Sequence, residues 1–103
     1  MLFSITMIDK PDSAVLRARN ATEHGIYISC HVDGMRLGGP LVADDGETPI
    51  GSLIIKEFAD RRAAEAFVDA EPYNQAGLFE VVIIRAFCAV VDKSAYVFEV
   101  KAD

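Results

Sequence analysis

The period of the apolar positions changes several times along the chain, and each change marks an element. LFSITMI (2–8) is rich in strand formers, with Phe3, Ile5 and Met7 on one face and Leu2, Ser4, Thr6 and Ile8 on the other. DKPDS breaks that strand: Asp12 or Ser13 caps a helix, and Pro11 sits at or just before its start. A helical pattern follows from Ser13 to Asp33, weakened by Gly25 and by the β-branched residues of IYIS. Gly34 ends it in the left-handed cap position. On this helix Arg17, Ala21, His24, Ile28 and His31 form one stripe, and Val15, Ala18, Thr22 and Ile26 a neighbouring one.

MRLGGPLV reads as a short strand kinked at its glycines, ADDGET as a turn centred on Asp45-Gly46, and IGSLIIKEF as a strand. ADRRAAEAFVDAE predicts a helix with Ala63, Ala66 and Phe67 inward and Arg61, Arg62, Glu65 and Asp69 outward. PYNQAG is a short loop or single turn, LFEVVIIRAFCAVV a long strand, DKS a turn and AYVFEV a last short strand. The order β-α-β-β-α-β, plus one strand, is α+β and ferredoxin-like, with both helices on one face of an antiparallel sheet. Such a sheet shows polar residues at alternate positions. Here Val81, Ile83, Phe87 and Val91 alternate with Val82, Ile84, Ala86 and Cys88, which are apolar too. A homodimer that packs the two bare sheet faces together resolves the conflict, with the last strand set to pair with the partner's sheet edge.

A length of 103 residues predicts a single domain, 1–103, and 51% hydrophobic residues exceed what one small core needs. The net charge of −6 and pI near 4.8 argue against nucleic acid and anionic membrane surfaces as partners. The longest apolar run, 81–91, is interrupted by Arg85 and is too short to span a bilayer. MLFSITMIDK has no basic leader and no small-residue cleavage site, so a cytoplasmic location is expected. Cys30 and Cys88 match no CxxC or zinc spacing and read as reduced packing residues. Cys30, beside His31, is the one candidate reactive thiol.

GGPLVADDGETPIGS (38–52) is glycine-rich, but it has no Lys and leads into a strand, so it is not a phosphate loop. His24 and His31 lie roughly 10 Å apart along one helix, too far to share an ion, and no metal or cofactor is expected. No GxSxG elbow supports a nucleophilic serine. What remains is a histidine on the first helix and a carboxylate, Asp44 or Asp45, from the loop after the second strand. Such a pair suits proton transfer, because imidazole titrates near neutral pH and a carboxylate fixes its tautomer. Residue types alone favour the plainer alternative, a structural histidine and acids that solvate a hairpin.

Several stretches together resemble the YciI-like (YCII-related) family of the dimeric α/β-barrel superfamily. They are MLFSITMIDKPDSAVLR, His24, GGPL, DDGETPIGSLII, FADRRAAEAFVDAEPYNQAGLFE and VVIIRAF, reaching to about Val91. The resemblance implies a ferredoxin-like subunit, a face-to-face dimer and a His-Asp pair in a pocket between helix and sheet. The family histidine falls on His24, and the aspartate is matched by Asp45 or, second, Asp44. Ser52 falls on the recurrent Gly-Ser, and Pro72, Tyr73, Gly77 and Glu80 on a second recurrent block, which makes Ser52 and Tyr73 candidate substrate-binding residues. Gly25 stands where the family commonly has Leu. The family implies cofactor-independent lyase, dehydrochlorinase or isomerase-type chemistry on a small molecule. A non-catalytic ligand-binding or accessory module with the same pocket is the alternative. Residues 92–103 form a C-terminal extension expected at the dimer contact.

Overall fold

In the computed structural model residues 1–92 are described. The elements are β1 (Leu2–Asp9), α1 (Ala14–Ser29), β2 (Met35–Val42), β3 (Pro49–Glu57), α2 (Arg61–Asp69), α3 (Pro72–Gln75) and β4 (Phe79–Phe87). The four strands form one antiparallel sheet in the order β2-β3-β1-β4. This is the ferredoxin-like α+β fold. The expected final strand, AYVFEV, lies outside the described residues.

Register assigns the faces. Ile5 pairs with Ile54 on one side and Ile84 on the other, and Met7 pairs with Ser52 and Val82. This row points toward the helices, and its members Phe3, Ile5, Met7, Ile54 and Ile84 join Ala64, Phe67, Val68, Tyr73, Leu78 and Phe79 in the core. The opposite row pairs Ser4 with Ile55 and Thr6 with Leu53 and Ile83. That face is open and largely apolar: Leu37 is 65% and Phe87 43% exposed. Gly51 is required by close approach, because a Cβ there would meet the Met7 carbonyl oxygen at 2.3 Å.

Several boundaries differ from the sequence expectation. The first helix stops at Ser29, not Asp33, with Cys30 as its cap. Gly34 still adopts a left-handed φ of 79°, but in the turn leading into β2. The inward stripe of α2 is Ala64, Phe67 and Val68, whereas Ala66 is exposed. Alanines do not define a stripe by themselves; Phe67 and Val68 carry most of the apolar area and set the rotation. PYNQ forms the short helix α3, and β4 ends at Phe87 rather than Val91. Both cysteines are exposed rather than packed, and both are unpaired. Among the described residues no helix is long and apolar enough to cross a membrane.

Candidate functional site

The inner stripe of α1 is mixed. Leu16, Arg17, Asn20, His24, Tyr27 and Ile28 are half-buried, with Leu16, Tyr27 and Ile28 against the core, and no residue of α1 is fully buried. The helix therefore leaves a cavity of about 310 Å³ between itself, β2, β3 and α3. Ile28, Met35, Pro40 and Ile54 make its apolar wall, and Arg17, His24, Ser52 and Tyr73 its polar one. On the β2 side, Gly38 and Gly39 add no side chains to fill the space.

His24 is held from two directions. Its ring stacks on Tyr73 with centroids 4.0 Å apart, and its Nδ1 lies 2.5 Å from Glu71 Oε1. With Glu71 ionised, that contact needs a proton on Nδ1, which leaves the Nε2 lone pair free. Glu71 is only 1% exposed. It sits at the corner between α2 and α3, in the extended conformation favoured before Pro72, and caps α3. Its backbone is pinned by Glu71 N–H to the Val68 carbonyl and by Gln75 N–H to its own carbonyl. Oε2 of this carboxylate is buried without a hydrogen-bond partner among the described residues. Such orphaned acceptors are costly and mark places where structure is compromised for another purpose.

An ion pair closes one end of the cavity. Arg17 forks onto Asp9, with Nε to Oδ2 at 2.8 Å and Nη2 to Oδ1 at 3.0 Å. Nη2 also donates to the Gly51 carbonyl at 2.8 Å and to Ser52 Oγ at 3.3 Å. The guanidinium carbon stands 4.7 Å from the centre of the Tyr73 ring. Burial opposes the Arg17 charge, but the bonds and attraction of Asp9 outweigh it and raise its pKa above the ordinary value. Burial also pushes the Tyr73 phenol up, against the downward pull of Arg17, so it remains a neutral O–H donor.

The two aspartates expected to pair with His24 lie elsewhere. Asp45 folds back on its own turn: Oδ1 accepts from the Glu47 and Thr48 backbone N–H groups, and Oδ2 from the Thr48 hydroxyl. Those bonds, the Thr48 hydroxyl first, hold its pKa down at about 2. Asp44 is exposed, and no hydrogen bond or ion pair joins either aspartate to His24 among the described residues. The turn already offers Asp45 N–H partners, and a side chain so satisfied has no drive to reach a cavity. Ser52 and Tyr73 both line the cavity. Glu71, Arg17 and Asp9 were not anticipated as site residues. Arg17 shares the helical stripe of His24, and Glu71 directly precedes the Pro72-Tyr73 of the second recurrent block, so both carried a signal. The other histidine, His31, is occupied structurally: its Nδ1 lies 2.6 Å from the Tyr27 carbonyl and its ring packs on Tyr27 and Phe67.

Comparison with known proteins adds a family and a solved relative. Residues 1–88 match the model of the YCII-related domain. The chain is 36% identical over 94 residues to Protein YciI of Escherichia coli O6:H1 and to that of Shigella flexneri, covering 84% of this chain and 96% of each relative. Among solved structures it is similar to 5-chloro-2-hydroxyhydroquinone dehydrochlorinase from Burkholderia phenoliruptrix AC1100, in complex with 2,5-dihydroxybenzoquinone. That similarity has a TM-score of 0.79 at 30% identity and covers 85% of this chain and 94% of the other.

Proposed function

The chain belongs to the YCII-related domain family, and on that premise we propose that it is a small-molecule enzyme with His24 as general base and Glu71 as the carboxylate that orients it. The observation that carries this reading is the contact of His24 Nδ1 with the buried Glu71 carboxylate at the cavity wall. Nε2 takes a proton from an acidic position of the ligand, forming N–H as the ligand bond breaks. The released electron pair then expels a leaving group such as chloride, or relocates so that the same nitrogen returns the proton at another carbon. Glu71 stabilises the imidazolium formed in between. The chemistry calls on no cofactor. Similarity to a dehydrochlorinase solved with a dihydroxyquinone supports a small hydroxylated ring as ligand and lyase or isomerase-type turnover. The apolar open face of the sheet supports a homodimer with those faces together.

The test is proton transfer on a panel of chlorinated and enolisable hydroxyquinones, read as chloride release or as exchange of ring hydrogen for deuterium. His24→Ala and Glu71→Gln are each expected to lower turnover by about 10²–10⁴-fold, and Asp45→Asn to leave it unchanged. Wild-type turnover in His24→Ala sinks the assignment. Ligand binding without any turnover by the wild type favours the non-catalytic binding module instead.

A further inference from the structure

The guanidinium of Arg17 carries five N–H groups; it bonds to Asp9, Gly51 and Ser52 and also to the Tyr73 hydroxyl, and Nη1 brings two of the five. Its side chain is 12% exposed and borders the cavity. The bonds to Asp9, Gly51 and Ser52 use Nε and Nη2, and none of them uses Nη1. Ser52 Oγ accepts from Arg17, so its own proton remains available to a further acceptor. The neutral Tyr73 hydroxyl also faces the guanidinium. Donors thus converge at one end of a cavity whose remaining wall is largely apolar. Asp9 compensates the Arg17 charge, so this end does not suit a polyanion such as a nucleotide.

Donors in this arrangement match one oxygen that carries, or develops, a single negative charge. We propose that Arg17 and Ser52 form the oxyanion-binding end of the cavity, and that the ligand is a small one-ring phenol, enol or carbonyl compound held there through that oxygen. The volume of about 310 Å³ suits one substituted ring. Arg17 and His24 both line this cavity and both pack on Tyr73, so a ligand that fills it meets anchor and base together. In turnover this role rests on the His24 reading. As Nε2 takes the ligand proton, the electron pair left behind moves onto the anchored oxygen, where Arg17 and Ser52 hold the charge until chloride leaves or the proton returns.

The anchor is testable without turnover. 4-Nitrophenol titrates near neutral pH, and its phenolate absorbs at longer wavelength than its phenol. Bound to the full-length wild-type protein, it is expected to lower its apparent pKa by about 1 unit, a roughly tenfold preference for phenolate. Arg17→Lys and Ser52→Ala should each reduce that shift, and Asp45→Asn should not. Circular dichroism and melting check each fold. If Arg17→Lys fails to fold with Asp9 deprived of its fork, Ser52→Ala alone decides. An unshifted or raised probe pKa in the wild type, no binding at millimolar concentration, or a full shift kept in Ser52→Ala overturns the proposal. A phenolate preference in a protein without turnover leaves the anchor standing and removes the His24 reading. Turnover without that preference does the reverse.

Discussion

The two long helices on the sheet use their inner faces in opposite ways. α2 inserts Ala64, Phe67 and Val68 into the core, and Phe67 packs against Tyr27, Phe58 and His31. α1 buries no residue completely: Leu16, Tyr27 and Ile28 pack on the core only in part, and Arg17, Asn20 and His24 share their face. The difference follows from side-chain chemistry. Apolar groups gain by excluding water and close the gap beneath their helix. A guanidinium and an imidazole must keep hydrogen-bond partners, so their helix stands off and leaves a cavity. One half of the sheet cover stabilises the fold, and the other holds the candidate site.

Substitutions on the two halves should therefore separate stability from binding. Phe67→Ala is expected to cost about 3–5 kcal/mol of unfolding free energy, because it empties a packed aromatic cluster. Ile28→Ala, on the cavity wall, should cost no more than about 1 kcal/mol, because its side chain is already incompletely surrounded. Equal losses in urea titration would break the comparison. A smaller effect on stability, with a large one on binding, is expected from Gly38→Val. A Cβ there is tight only against the Met35 sulfur at 3.1 Å, the movable part of a flexible side chain, and makes ordinary contact with Ile54 and the Leu53 carbonyl at 3.8 Å on the cavity side. Stability should shift by about 1 kcal/mol or less, while affinity for a ring ligand falls at least about tenfold. Retained affinity would mean that ligands bind elsewhere.

The smallest effect belongs to Asp45, which lies outside both halves. Its pKa is held at about 2, below the ordinary 3.8, by the Thr48 hydroxyl and the Thr48 and Glu47 N–H groups. A depressed carboxylate contributes stability above its unfolded pKa and loses it as pH falls through the folded value. The turn bonds should thus be fully in place above about pH 4 and weaken toward pH 2. Carboxyl chemical shifts followed by acid titration check this, and a midpoint near 3.8 would show that the turn does not hold the side chain.

The strands, the helix order and the uncovered sheet face were legible along the chain, because alternation and helical stripes are local. In β4, Ile84 turns to the core and Val81, Ile83 and Phe87 to the open side, as a period of two requires. His24, Ser52 and Tyr73 were legible as site candidates through their place in a recurrent pattern. The partner of His24 was not. Asp45 follows a glycine-rich strand and looked available, but the nearest donors to its carboxylate are those of its own turn. Glu71 is 47 residues from His24 and reaches it only because α3 docks against α1.

By itself the sequence determined the identity and order of the elements, since strand and helix periods depend on neighbours a few positions away. Only the tertiary structure decided which carboxylate meets the imidazole and which guanidinium closes the cavity. Hydrogen bonds form between the groups that packing brings within 3 Å or so, and that proximity depends on how α1, α3 and the sheet come together.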